Sequence, residues 1–268
     1  MGARRFLPLA LVLCAGCGIH RGLVVPPPGV SLERRITLNG HPLSVHIADR
    51  RVRDGSPLLI YTTGDRGWAG KDLDVYRHLV GWGYTVAGVD AHDYVHHLDA
   101  EATTPGKLAR DYEVIIATAR DTLHLAADVP VILVGVSRGA GLSVVAAGQR
   151  GLRAELSGIV AVGLTKEEEY VRWYRRIGRP RADRTRVMVE VYEYLPRLGT
   201  LPITVIQSTH DNYLPAGSAR ELFGADTDRR RLIPIESRNH SFSDARPQLY
   251  DALEVALATI RRIGRNPQ

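Results

Sequence analysis

Cysteine is nearly missing from this chain: of its 268 residues only Cys14 and Cys17 carry a thiol. No disulfide framework holds the rest of the sequence, and a chain of this length can bury a core without one. Long apolar runs are missing too. The stretch from Phe6 to Leu13 is too short to span a bilayer as a stable helix. No internal repeat is evident, which excludes solenoid and propeller arrays. Nor does any aromatic-basic recognition motif accompany the scattered basic residues, so nucleic acid is not an expected partner. What remains is an ordinary globular composition, 44% hydrophobic and 24% charged, with a net charge of +6 carried mostly by arginine. Such a charge favours acidic partners or anionic surfaces.

The two cysteines lie in an informative place. Arg4-Arg5, the apolar run and then Cys14-Ala15-Gly16-Cys17 have the parts of a secretory signal. Small residues directly before Cys17 resemble a bacterial lipoprotein signal, in which that cysteine is lipidated and becomes the new N-terminus. The expectation is an exported, membrane-anchored lipoprotein facing the periplasm, with a soluble secreted form or an uncleaved anchor as alternatives. Residues 1–17 are then signal and 18–30 a tether containing Pro26-Pro27-Pro28-Gly29. Residues 31–268 form the folded domain. Its lack of thiols suits an oxidising compartment.

Within that domain, Leu32 to Leu38 and Leu43 to Ile47 alternate apolar and polar residues across Asn39-Gly40, a hairpin pattern. Strands are then expected at Leu58 to Thr63, Tyr84 to Val89, Val131 to Val136, Leu156 to Val162, Ile203 to Gln207 and Leu232 to Ile235. Helices are expected at Asp72 to Trp82, Leu108 to Leu125, Gly139 to Ala147 and Gln248 to about Ile260. On the second of these, Val114, Ile115, Ala117, Thr118 and Leu125 read as the inner face. Alternation of this kind implies an α/β fold, a mainly parallel sheet with helices on both faces. One irregular, arginine- and tyrosine-rich insertion spans about 165–201, long enough to be lid-like.

Gly135-Val136-Ser137-Arg138-Gly139 fits the G-x-S-x-G nucleophile elbow, between an apolar strand and a small-residue helix, as that motif requires. A serine hydroxyl needs a base, and the base an orienting acid. In such folds the order is serine, acid, histidine. His240, between the last strand and last helix, is the expected base. The acid is Asp211, in the loop after Ile203 to Gln207; Asp226 and Asp228 are the other candidates, in a charged and solvated stretch. His210 reads as a loop residue. Two oxyanion donors are expected, the backbone N–H of Arg138 and one from Gly64-Asp65-Arg66-Gly67-Trp68, assigned to Asp65. Trp68 and Tyr94 are expected to contact substrate. This chemistry calls for no cofactor and no metal.

Three segments together carry a family likeness: Thr63-Gly64-Asp65-Arg66-Gly67-Trp68 with Asp72 downstream, Val86-Ala87-Gly88-Val89-Asp90, and Gly135-Val136-Ser137-Arg138-Gly139-Ala140. They resemble the VirJ-type bacterial virulence hydrolases, a branch of the α/β-hydrolases, over Leu58 to Ala147, and Thr104-Pro105 fits as well. The resemblance implies the α/β-hydrolase fold and an exported protein. It also implies a lipid ester among the candidate substrates, since the family includes periplasmic hydrolases of aminoacylated phosphatidylglycerol. Around Asp211 and His240 the chain is similar to esterases and dienelactone hydrolases.

The expected function is cleavage of a carboxylic ester through an acyl-enzyme, with small ester, peptide and phospholipid ester all open. The alternative is a catalytically silent hydrolase-fold lipoprotein with a binding or secretion-accessory role. His92, His96 and His97, with Asp93 and Asp99, read as a substrate-side loop, because no helix is evident to align them as metal ligands. Between Lys166 and Arg186, Val171, Trp173, Tyr174 and Ile177 could make an amphipathic lid helix, its arginines meeting an anionic membrane surface.

Overall fold

The computed structural model describes residues 31–38, 40–49, 56–96, 104–169 and 188–265. The expected signal and tether with Cys17, and the lid segment holding Val171, Trp173, Tyr174 and Ile177, lie outside the described residues, as do Asn39, His97 and Asp99. Among the described residues no helix is long and apolar enough to cross a membrane.

Eight strands make one sheet. In chain order they are β1 (Ser31–Leu38), β2 (His41–Ala48), β3 (Leu58–Thr62), β4 (Thr85–Val89), β5 (Val131–Val136), β6 (Leu156–Val162), then β9 (Ile203–Ser208) and β10 (Arg230–Ile235). A separate antiparallel pair, β7 (Glu167–Glu169) and β8 (Met188–Glu190), lies between β6 and β9. The sheet order is β1-β2-β4-β3-β5-β6-β9-β10. The β1–β2 hairpin is antiparallel and joins β4 antiparallel; from β4 to β10 every pairing is parallel. The central strands are apolar on both faces because helices cover both. Leu58 and Ile60 of β3 face one core, Leu59 and Tyr61 the other, and β5 and β6 divide in the same way.

The helices sort accordingly. α1 (Lys71–Gly81) and the C-terminal α7 (Arg246–Arg265) pack on one face. α2 (Ala91–His96), α3 (Pro105–Leu123), α4 (Arg138–Ala147) and α6 (Ala216–Phe223) contribute to the core on the other, and α5 (Arg150–Glu155) adds Leu152 to it. On α7, Leu249, Leu253, Leu257 and Ile260 form one buried stripe, each worth about 2 kcal/mol in apolar burial. α3 starts at Thr104, whose hydroxyl accepts from Lys107 N–H at 3.2 Å, with Pro105 at the first helical position.

Three readings of the sequence need correction. The inner face of α3 is Leu108, Tyr112, Ile115, Ile116, Ala119 and Leu123, while Val114 is exposed. The helix begins three residues earlier than expected, and its buried stripe follows the full 3.6-residue period from there. The described part of the histidine segment, Ala91–His96, is the helix α2, not a loop. Asp90 starts it, its carboxylate accepting from Asp93 N–H at 3.1 Å and its carbonyl from Tyr94 N–H at 2.9 Å. The far end of the irregular insertion belongs to the body of the protein: Val191, Tyr194, Leu195 and Leu198 are core residues.

Candidate active site

The sheet's parallel strands deliver their following loops to one edge, where α/β sheets bind ligands. Ser137 stands between β5 and α4 with φ 52° and ψ −116°. A side chain in that conformation costs about 1–3 kcal/mol and persists only where its surroundings enforce it. Here the Ser137 N–H donates to the Val162 carbonyl at 2.7 Å. The Ser137 carbonyl accepts from Ala140 and Gly141 N–H at 2.9 and 3.2 Å. The flanking glycines are needed for space. A Cβ on Gly135 would run into the Gly139 backbone, and one on Gly139 into the Thr62 carbonyl at the end of β3.

His240 comes from the loop after β10. Phe242, fully buried at φ 53°, pins that loop to the core. Asn239 Oδ1 accepts from the backbone N–H groups of Ser241 and Ser243 at 3.0 and 3.3 Å. The imidazole Nδ1 lies 2.6 Å from Asp211 Oδ2, and Nε2 lies 2.8 Å from Ser137 Oγ. A carboxylate only accepts, so Asp211 fixes the proton on Nδ1 and leaves Nε2 to accept from the serine hydroxyl. Asp211 follows β9 and is 2% exposed. It also accepts from Gln207 Nε2 at 3.1 Å and from the backbone N–H groups of Tyr213 and Leu214 at 2.8 and 3.4 Å. The buried carboxylate is thus held by four donors. Asp226 is elsewhere, capping β10 through Leu232 N–H and paired with Arg220.

Asp65 and Arg138 lie on the cleft wall beside Ser137. Their side chains form a two-point ion pair, Arg138 Nε on one carboxylate oxygen and Nη2 on the other at 3.0 Å. Arg138 Nη1 also lies 3.5 Å from Glu168, a buried carboxylate that accepts from the Thr165 hydroxyl at 2.5 Å. The Gly64 N–H donates to Asp72 Oδ1 at 2.6 Å, and Gly64 is so close that an added Cβ would sit 3.2 Å from the Ser137 Cβ. Asp72 therefore anchors the loop expected to supply the second oxyanion donor. Burial pushes its carboxyl upward, opposed by Lys71 and the Gly64 N–H.

Trp68 and Tyr94 are not on the cleft. Gly88 of β4 leaves the space that the Trp68 indole fills, edge-on to Tyr76 at 5.1 Å and His46 at 5.3 Å. Tyr94 is buried, its hydroxyl donating to Asp111 at 2.7 Å. Tyr94 belongs to the core and the half-buried Trp68 packs against it, because the helix after β4 and the turn after β3 roll their large rings inward. His92 Nδ1 lies 2.7 Å from the Asp65 carbonyl, so α2 braces the same loop.

Several site residues escaped the sequence reading. Lys71, Tyr213, Glu168 and Arg246 line the cleft, about 810 Å³ in volume. Tyr213 packs edge-on to His240 at 4.9 Å. Gly163 backs the imidazole, and Gln207 braces Asp211. Only Gly163 left a legible sign, a glycine directly after an apolar strand.

Comparison with known proteins bears on the fold. Residues 57–171 match the family described as "Bacterial virulence protein (VirJ)". No match was found among curated protein sequences. Among solved structures, Est1E from Butyrivibrio proteoclasticus is similar at 15% identity and TM-score 0.60, covering 85% of this chain and 98% of its own. A putative dienelactone hydrolase from Klebsiella pneumoniae subsp. pneumoniae MGH 78578 is similar at 13% identity and TM-score 0.63, covering 85% and 98%. The Pyrococcus furiosus esterase Pf2001 is similar at 15% identity and TM-score 0.60, covering 89% and 99%. This chain has the α/β-hydrolase fold, and over residues 57–171 it resembles the VirJ family of bacterial virulence proteins.

Proposed function

We propose that this protein is a serine hydrolase that cleaves a carboxylic ester through an acyl-enzyme. The observation that carries the reading is the unbroken chain of contacts from Asp211 through His240 to Ser137, at 2.6 and 2.8 Å. In the first step Ser137 Oγ attacks the ester carbonyl carbon while its proton passes to His240 Nε2. Negative charge moves to the carbonyl oxygen, where the backbone N–H groups of Arg138 and Asp65 are the assigned donors. The tetrahedral intermediate collapses, and the leaving alcohol takes the proton from His240. Water, deprotonated by the same histidine, then attacks the acyl group, and Ser137 recovers its proton. Asp211 stabilises the imidazolium in both halves and orients it throughout.

Hydrolysis of 4-nitrophenyl esters tests this reading. Wild-type turnover should fall by about 10⁴-fold or more in Ser137→Ala and His240→Ala. Wild-type turnover no greater than that of the two variants would leave a silent binding protein on a hydrolase scaffold. Aminoacyl-phospholipids belong in the substrate panel because residues 57–171 match VirJ. The reading extends to export with lipidation at Cys17, supported by Arg4-Arg5 and the small residues before that cysteine. Intact mass of the mature chain tests it: a diacylglyceryl-modified Cys17 at the N-terminus is expected, and an unmodified start elsewhere contradicts it.

A further inference from the structure

Two cations on the cleft wall take no part in the serine chemistry. Lys71, the first residue of α1, is 7% exposed. Its Nζ donates to the His240 carbonyl at 3.1 Å and lies 5.6 Å from the centre of the Phe242 ring. An ammonium has three hydrogens to place, and that carbonyl is its one hydrogen-bond acceptor among the described residues. Arg246, the first residue of α7, lines the same cleft. It touches Tyr250, and its Nη1 is buried with no hydrogen-bond partner among the described residues.

The acids nearby are already engaged. Asp211 holds His240, Asp72 holds the Gly64 N–H, and Asp65 and Glu168 hold Arg138. The two cations also work against each other. Burial first, and then repulsion from Arg246, bring the Lys71 ammonium down to about 8 although Asp72 and Asp211 pull it upward. The first turn of α7 carries no acid, while that of α1 carries Asp72, which holds the Gly64 N–H, and Asp74, which lies 3.7 Å from Arg77. Two cations therefore stand at one wall of the cleft, next to the histidine loop, and among the described residues no carboxylate is hydrogen-bonded or ion-paired to either.

We propose that Lys71 and Arg246 form a subsite for an oxyanion, a carboxylate or phosphate, carried by the substrate whose acyl group Ser137 accepts. The proposal rests on the hydrolase reading for its substrate but not for its binding. A bound oxyanion supplies the acceptors that the ammonium and the guanidinium lack, in a partly dry site where charge-assisted hydrogen bonds are strong.

The test compares 4-nitrophenyl butyrate with counterparts bearing a terminal carboxylate or a terminal phosphate, on wild type, Lys71→Met and Arg246→Gln. In wild type at least one anionic ester should exceed the neutral one in kcat/KM by about tenfold or more, and the better anion names the source. That ratio should collapse towards one in each variant. Arg246→Gln, at a half-buried position, keeps the test sound if Lys71→Met folds poorly. In parallel, titration calorimetry with inorganic phosphate and with acetate should show saturable binding to wild type and none to the double variant. An unchanged ratio in both variants overturns the subsite while leaving the hydrolase standing. Phosphate or acetate binding lost in the double variant, from a wild type that hydrolyses no ester, keeps the subsite and overturns the hydrolase. Wild type that binds neither anion and shows no preference for either anionic ester overturns the subsite outright.

Discussion

Gly163 lies flat against the imidazole of His240: a Cβ at that position would sit 2.8 Å from Cε1 and 3.2 Å from Nδ1. Gly163 directly follows β6 with φ 62°, a conformation that side chains adopt only under strain. The residue that backs the histidine therefore directly follows β6, the strand next to the one that leads into Ser137, and a single methyl couples the two loops. Gly163→Ala should push the ring off its line between Asp211 and Ser137. The expected loss is about 100-fold or more in kcat/KM, alongside about 1–3 kcal/mol of stability. Ester kinetics together with urea unfolding check this; full activity in Gly163→Ala would show that the ring tolerates displacement.

Asp72 acts through the loop it holds. Asp72→Ala releases the Gly64 N–H, bonded to Oδ1 at 2.6 Å, and loosens the backbone expected to complete the oxyanion site. kcat should fall by about 10²-fold with KM changed little, since loss of one oxyanion donor has that scale. A change confined to KM would place Asp72 in substrate binding instead.

Lys71 makes stability depend on pH in a definite direction. Burial lowers its pKa from 10.5 to about 8. Between those values the unfolded chain binds a proton that the folded chain has released, so stability rises with pH across that window. Below about pH 8 the buried charge is a full cost, worth about 3 kcal/mol at ~1.4 kcal/mol per unit. Lys71→Met should therefore be more stable than wild type at neutral pH. The gap should narrow by about 2 kcal/mol between pH 7 and pH 10, as read by urea unfolding of both proteins. A gap independent of pH would contradict the buried ammonium.

Gly88 separates the core role of Trp68 from the substrate role expected of it. A Cβ on Gly88 would lie 2.5 Å from the indole Cη2 and 3.0 Å from the Tyr76 ring. Gly88→Ala should cost about 1–3 kcal/mol through overpacking and leave kcat/KM nearly unchanged. Loss of activity without loss of stability would return Trp68 to the substrate side.

Much of this architecture is legible in the sequence. The parallel strands β3, β5 and β6 are short apolar runs between turn residues, and such runs have few alternatives once helices alternate with them. Ser137 was marked by glycines whose steric purpose the fold bears out at Gly135 and Gly139. What stayed hidden depends on contacts distant in sequence. Lys71 meets His240 across 169 positions, and no local pattern distinguishes a buried lysine from a solvated one. Trp68 looked like a substrate residue because its loop leads to the site. Its ring turns inward only because Gly88, on the next strand, leaves room. The start of α2, the Asp90 carboxylate over Asp93 N–H, sits at a strand end, where the sequence alone reads as a substrate-side loop.

The proposed hydrolysis requires Ser137 to be an activated nucleophile. The most direct test is to treat the folded protein with a fluorophosphonate and map the adduct by peptide mass spectrometry. One stoichiometric adduct on Ser137 is expected, absent in Ser137→Ala and strongly slowed in His240→Ala. A well-folded wild type that takes no label, or takes it on another serine, would contradict it.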